Sequence, residues 1–315
     1  MHIQNILNKD QPSFSFEFFP PKSDESSDEL LKTIKNLEPL KPSYVSITYG
    51  AGGTTRERTH ELVEKILDST NLVPIPHLTC IQHKEEEISK IINRYCDKGV
   101  CNILALRGDP PRGNNNYDRS NDAFQYACDL VKFIKGFAKK TKSLGIGVAG
   151  FPEGHPETPN RLKEMDYLKA KIDSGADYIC TQLFFDNHDF FDFRERCMLA
   201  GIDVPIIAGI MPISSMQGLE RMANLAGGSR FPAKLLKSLR RCDSNPASIE
   251  KVGIQYATEQ CSDLLNNEVE GQDKKIKNNE EKNLAAEKII KPVAIEVNEM
   301  SAKANERDPN TELVL

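Results

Sequence analysis

The stretch Asn102-Ile-Leu-Ala-Leu-Arg-Gly-Asp-Pro-Pro111 decides how the rest of the chain is read. An apolar run of strand length ends in Arg107-Gly108-Asp109 and is closed by two prolines, so a buried strand hands two opposite charges and a glycine to a loop at its C-terminal end. Two readings are open. Arg107 and Asp109 pair only with each other and tidy a loop, or they stand at a binding mouth. For an isolated triplet the first is the better one. Neighbouring segments of the same design favour the second.

Upstream, Phe14-Ser-Phe-Glu-Phe-Phe19 alternates with period two, which puts Phe14, Phe16 and Phe18 on one face of a strand and Ser15 and Glu17 on the other. Pro20 and Pro21 end it, and helical spacing of apolar residues follows over 24–37. The strand Tyr44-Val-Ser-Ile-Thr48 runs into Tyr49-Gly-Ala-Gly-Gly53, after which Thr54 or Thr55 can cap a helix reaching Leu67. Val73-Pro-Ile-Pro-His-Leu-Thr-Cys80 is the third strand, with a helix over 84–95. Downstream come a loop over 113–121, a helix over 122–140, the strand Ile146-Gly-Val-Ala-Gly-Phe151 and a helix over 161–174. The strand Asp177 to Phe184, a helix over 188–199, the strand Pro205 to Ile210, and helical segments over 214–226 and 232–265 complete the pattern.

Strands that recur with helices between them pair in parallel through right-handed crossovers, giving a closed (β/α)8 barrel or an open doubly wound sheet. Glu17, Thr48, His77, Arg107, Asp109, Phe151 and Gln182 all fall at or just past strand C-terminal ends, which ring one mouth in a barrel. An open sheet would gather its ligand behind an early G-x-G-x-x-G turn, which the chain lacks. The expectation is an α/β fold of TIM (β/α)8 barrel type over residues 1–266, its eighth strand uncertain. Residues 267–315 read as a divergent charged tail, either disordered or carrying a late closing strand at Lys291-Pro-Val-Ala-Ile-Glu-Val297.

The 315 residues leave room for such a barrel, which typically takes ~250. A net charge of −5 gives no electrostatic reason to expect nucleic acid. The eight cysteines include no C-x-x-C pair and the six histidines no paired ligand spacing, so reduced thiols and no metal site are expected. No run approaches the ~20 apolar residues of a membrane span, and the polar N-terminus does not read as a signal peptide. A cytoplasmic protein with no membrane partner is expected.

Phe16-Glu-Phe-Phe-Pro-Pro-Lys22, Thr48-Tyr-Gly-Ala51, His77-Leu-Thr-Cys80, Leu106-Arg-Gly-Asp109, Phe151-Pro-Glu-Gly-His-Pro156 and Thr181-Gln-Leu-Phe-Phe-Asp186 occur in this order. Together they closely resemble methylenetetrahydrofolate reductase, a flavoprotein family, in its short bacterial type; the resemblance covers about residues 10–266. It implies a TIM barrel, FAD as cofactor, NADH or NADPH as co-substrate and 5,10-methylenetetrahydrofolate as substrate. It also implies a homo-oligomer and a place in the one-carbon metabolism that supplies methyl groups for methionine synthesis.

The resemblance assigns residues as well. Opening the methylene bridge needs a proton delivered to the departing nitrogen, and Glu17 matches the family's general acid, for which a raised pKa is expected. On its own Glu17 reads equally as a core glutamate paired with a cation. Asp109 corresponds to a second carboxylate beside flavin and pterin. Thr48, Tyr49, Ala51, His77, Arg107, Gly108, Asp109, Ala127, Phe151, His155, Glu164 and Lys171 correspond to flavin contacts, and Gln182, with Asp109 and Phe151, to the substrate side. Phe151 replaces a common tyrosine, Glu164 an aspartate and Met222 a phenylalanine, and nothing after Asn266 matches the family's last His-Phe-Tyr-Thr-Leu-Asn-Arg-like strand. A different class therefore stays open: a catalytically impaired barrel that keeps flavin or folate binding, or serves as an interaction partner.

Overall fold

Each apolar run anticipated above contains a strand, in most cases a shorter one. The computed structural model describes residues 1–7, 13–21, 23–49, 56–110, 117–138, 143–225, 229–242, 244–269 and 313–314. Its strands are β1 Ser15–Phe18, β2 Tyr44–Ile47, β3 Pro74–Thr79, β4 Asn102–Leu106, β5 Gly145–Gly150, β6 Tyr178–Thr181 and β7 Ile206–Ile207. These seven lie side by side in chain order. Parallel registers include Glu17 opposite Ser46, Ile47 opposite Pro76, His77 opposite Leu104, Leu104 opposite Gly147 and Cys180 opposite Ile207. Sequential parallel order with intervening helices is the TIM-barrel class that the sequence predicts.

The helices are α1 Ile3–Leu7, α2 Asp24–Leu37, α3 Arg56–Ser69, α4 Glu85–Asp97, α5 Ala127–Ala138, α6 Arg161–Asp173, α7 Asn187–Leu199, α8 Met216–Leu225, α9 Ala233–Arg240 and α10 Pro246–Val269. A further strand, β8, is Leu313–Val314. The alternative closing strand at 291–297, and with it the disordered-tail reading of 270–312, lies outside the described residues. No helix among the described residues is long and apolar enough to cross a membrane.

The chain divides into two compact units. The first is Met1–Gly150, Met165–Cys180 and Cys197–Ile207; the second is Phe151–Glu164, Thr181–Arg196 and Ala208–Leu315. In the first, the period-two reading of β1 holds: Phe16 and Phe18 are fully buried. Ser23 and Ser26 cap α2 reciprocally, and Asp24 and Glu25 sit where its dipole favours acids. Pro74 and Pro76 lack an amide donor, and the registered pairing of β3 with β4 runs from His77 to Thr79, beyond both prolines. Gly147 leaves room for the Tyr178 ring and Leu104, which a Cβ would strike.

Sequence reading missed α1. Its Ile3 and Ile6 are buried in a cluster with Tyr44, Ile75, Leu104 and Tyr178. Asn102 on β4 holds it there: Ile3 N donates to Asn102 Oδ1 at 2.6 Å, and Asn102 Nδ2 donates to the Met1 carbonyl at 2.9 Å. Five residues are too few to persist as an isolated helix, so this side chain and the apolar burial supply what propensity cannot. The helix predicted to start at 122 starts at Ala127 instead. Asp122 is engaged elsewhere, accepting from Gln82 N at 2.8 Å and from the Tyr117 hydroxyl at 2.6 Å, and this holds the loop after β4 against the loop after β3.

In the second unit, Leu183, Phe185, Met211, Ile213, Leu219, Met222, Leu235, Leu239 and Ile249 form one buried cluster. The single helical run expected over 232–265 is broken into α9 and α10. Asn245 Oδ1 accepts from Ser248 N, and Pro246 opens α10 at the position where a missing amide hydrogen does no harm. Helix α10 is tied to the segment after β6 by Gln260 Nε2 donating to the Phe184 carbonyl at 2.9 Å and Asn187 Nδ2 donating to Asp263 Oδ2 at 2.7 Å.

Behind β2, in the first unit, two buried imidazoles bond to buried phenols. His60 Nδ1 lies 2.6 Å from the Tyr95 hydroxyl, and His83 Nε2 lies 3.1 Å from that of Tyr49. Burial, and then the nearby Arg94 for His60 and Arg56 for His83, push both rings down to about 4. An unfolded histidine protonates near 6.5, so the unfolded chain takes up protons first as pH falls from about 6.5 towards 4, and stability is lost across that window. We expect the urea midpoint to fall between pH 7 and pH 5, and to fall less in His60→Gln; a midpoint flat with pH would contradict the buried neutral rings. Asn102→Ala should lower the unfolding free energy by about 2 kcal/mol through loss of two buried hydrogen bonds, and proteolysis should then release the N-terminal segment early.

Candidate active site

The strand ends of the first unit carry a three-residue polar group. Glu17 and Ser46 are register partners on β1 and β2, and the Ser46 hydroxyl donates to Glu17 Oε2 at 3.0 Å. Nε2 of His77, on β3, lies 3.2 Å from the same oxygen. The Glu17 side chain retains 20% exposure and that of His77 only 7%, so the carboxylate has an open side and the imidazole backs it. Burial pushes the Glu17 carboxyl up, but the charge of His77 and the hydrogen bonds from His77 and Ser46 outweigh it and hold the group below its ordinary range. This corrects the raised pKa expected from the sequence. A desolvated carboxyl rises only when its partners do not favour the charged form, and both partners here do.

Thr48 follows β2 directly. Its hydroxyl oxygen is buried without a partner among the described residues, while its carbonyl accepts from the Thr59 hydroxyl at 3.1 Å. Tyr49 points the other way, as strand alternation requires, and its phenol is engaged by His83. What Tyr49 presents at the strand end is therefore backbone rather than a free hydroxyl. Ala51 lies outside the described residues.

Arg107, Gly108 and Asp109 follow β4. Gly108 has φ +80°, and a Cβ there would also strike Ile81 and Thr79, so the position requires glycine. Asp109 is exposed. Arg119, which the sequence reading passed over, reaches back to donate to the Gly108 carbonyl at 2.7 Å through Nη2, while its buried Nη1 has no partner among the described residues. Ala127 is the first residue of α5. Lys171 on α6 donates to the Ala149 carbonyl on β5 at 2.6 Å, so it is not simply a solvated helix lysine.

In the second unit, Phe151 and His155 meet edge to face with ring centroids 4.6 Å apart. His155 N donates to Glu164 Oε1 at 3.2 Å, and Arg161 lies 3.5 Å from the other oxygen. Burial pushes the Glu164 carboxyl up, outweighing the nearby arginines. Gln182 follows β6, and its Oε1 accepts from Leu183 N at 2.9 Å, so its amide nitrogen is the end left for a ligand. Met222 is buried in the apolar cluster of this unit, so it does not stand out as a ligand contact.

Ser46 escaped notice in the sequence, although a signal for it was present. Counting back two residues from Thr48 along β2 puts Ser46 on the same face.

Comparison with known proteins shows the family of the chain. The family model described as methylenetetrahydrofolate reductase matches residues 2–286. An Arabidopsis thaliana protein named methylenetetrahydrofolate reductase (NADH) 1 is 37% identical over 272 residues, covering 84% of this chain and 45% of that one. The Escherichia coli (strain K12) 5,10-methylenetetrahydrofolate reductase is 39% identical over 247 residues, covering 78% and 80%. This chain thus spans less than half the length of the plant relative. Among solved structures, an uncharacterized protein from Clostridium thermocellum that binds two copies of 5-methyl-5,6,7,8-tetrahydrofolic acid superposes with a TM-score of 0.59 at 15% identity, covering 92% of this chain and 99% of that one. At that identity the likeness supports the fold alone. The match over nearly the whole chain, with identities of 37% and 39% to the two relatives, means that this protein belongs to the methylenetetrahydrofolate reductase family.

Proposed function

We propose that the protein reduces 5,10-methylenetetrahydrofolate to 5-methyltetrahydrofolate, with FAD as its flavin and NADH or NADPH as the hydride source. The observation that carries this reading is Glu17 at a strand end with one oxygen held by Ser46 and His77 and an open side. A proton delivered from this carboxyl to the bridge nitrogen breaks the carbon–nitrogen bond, leaves a substrate iminium, and returns Glu17 to the carboxylate. Because the group is ionised at rest, it must take up that proton as substrate binds and displaces water. On this reading the chain works in the cytoplasm as a homo-oligomer, in the one-carbon metabolism that supplies methyl groups for methionine.

The residues at the strand ends fit a flavin. The Thr48 hydroxyl is a buried polar group in need of a partner, and the chain at Gly108 can approach a ligand closely. Thr48, the Tyr49 backbone, Ala51, His77, Arg107, Gly108, Asp109 and Ala127 would hold the cofactor, with Phe151, His155, Glu164 and Lys171. When bound, the flavin supplies the hydride that converts the iminium to a methyl group. Asp109 offers its exposed carboxylate to the pterin amino group, and the Gln182 amide nitrogen donates along the edge of a heterocycle.

The purified protein with FAD should show a flavin spectrum that bleaches under anaerobic NADH or NADPH and returns on addition of 5,10-methylenetetrahydrofolate. Glu17→Gln should slow the return by ~100-fold or more, far more than it slows the bleaching. The impaired-barrel reading has its own support in the lack of a His-Phe-Tyr-Thr-Leu-Asn-Arg-like stretch in the sequence after Asn266. A flavin that bleaches but is never reoxidised by substrate would establish that reading instead.

A further inference from the structure

We propose that Ser46 is a positioning residue for proton delivery by Glu17. Its hydroxyl clamps Oε2, so that Oε1 is the atom that carries and gives the proton. The inference rests on the reductase reading above and deepens it.

The geometry has three parts. Glu17 and Ser46 are direct partners in the β1–β2 register, so backbone hydrogen bonding sets their approach and side-chain flexibility contributes little. The hydroxyl donates to Oε2 at 3.0 Å, and His77 Nε2 stands 3.2 Å from that same oxygen. No hydrogen bond or ion pair from a described residue reaches Oε1. A carboxyl with one oxygen bonded by Ser46 and approached by His77, and the other without a partner among the described residues, has a defined donor atom.

The chemistry follows from how hydrogen bonds respond to charge. When Glu17 is neutral its proton sits on Oε1, and the Ser46 hydroxyl donates to the carbonyl-like Oε2. As the proton passes from Oε1 to the bridge nitrogen, the carbon–nitrogen electron pair stays on that nitrogen and negative charge grows on the carboxyl group. The bond from Ser46 then has an ionised acceptor, and such bonds are roughly twice as strong as neutral ones. Ser46 thus favours the transition state over the protonated complex from which the proton is given, which is the condition for assisting that step. Removing the hydroxyl should leave Glu17 a weaker acid and free to rotate.

The side chains facing Glu17 across the sheet fit this division of labour. Ser46 is 8% exposed and His77 5%, so bulk water does not readily replace the hydroxyl. A serine hydroxyl donates at every working pH. The Cys180 thiol and the Tyr44 phenol, which also feel the charge of Glu17, are both pushed up by burial and stay neutral around it.

The test uses flavin-loaded protein and three substitutions, Ser46→Ala and the matched pair Ser46→Thr and Ser46→Val. The members of that pair differ only in a hydroxyl against a methyl. Stopped-flow traces would follow bleaching by NADH and reoxidation by 5,10-methylenetetrahydrofolate across pH. We expect Ser46→Ala and Ser46→Val to slow reoxidation about tenfold relative to bleaching, and to move the alkaline limb of reoxidation upward by ~1 pH unit. Ser46→Thr should restore both. If Ser46→Ala loses its flavin, the Thr and Val pair still isolates the hydroxyl.

An isotope-edited infrared titration of the Glu17 carboxyl, assigned by its loss in Glu17→Gln, reads the clamp without turnover. Its midpoint should rise in Ser46→Val and stay in Ser46→Thr. An unmoved midpoint and an unmoved pH limb would overturn the proposal. A midpoint that moves in a protein that never reduces the folate would uphold the clamp and overturn the reductase reading.

Discussion

The carboxylate of Glu17 needs partners, and the architecture of the first unit is consistent with that need. A charged group taken out of water without compensation costs several kcal/mol or changes its protonation state. Here the compensation comes from β2 and β3, and it depends on register. A slip of one residue in the β1–β2 ladder would turn Glu17 towards the helices and expose the phenylalanines that flank it. The capped α2, the strand β2 that follows it and the two prolines in the first half of β3 are all local features. Their combined effect is to hold three strand ends level, so that one oxygen meets two side chains.

Electrostatics at this position distinguish a structural glutamate from a working one less cleanly than burial suggests. A core glutamate paired with a cation would also sit low in pKa, as Glu17 does. What differs is the asymmetry. Both partners crowd one oxygen, and the side chain keeps a solvent-facing side. Glu164 is bound on both sides, with the His155 amide on one oxygen and Arg161 on the other. Glu17 meets its partners through a single oxygen.

The tyrosine and histidine pairs behind β2 extend the same logic outward. Tyr49 directs its phenol away from the strand end and into a buried bond with His83, and His60 repeats the arrangement with Tyr95. Rings locked this way hold the backbone at Thr48, whose buried hydroxyl has no partner among the described residues. On the far side, Arg119 fastens the Gly108 carbonyl, so the loop after β4 is held by a side chain that lies eleven residues on. Function-bearing backbone is positioned by residues that a ligand would never touch.

Much of this was legible in the residues alone. The alternation of Phe14 to Phe19, the apolar runs that end in polar residues and the helical spacing between them determined the element order and the barrel class, because local periodicity reports which face of an element is apolar. The ordered motifs determined the family. Local sequence could not say that Ser46, 29 residues from Glu17, would bond to it. Nor could it say that Asn102 would fold a helix from residues 99 and more positions away, or that the Tyr49 phenol would be taken by His83. It also misjudged the charge state of Glu17. Burial is foreseeable from pattern, whereas the sign of a pKa shift is set by partners that strand register brings in from elsewhere in the chain, and that was decided by the tertiary structure alone.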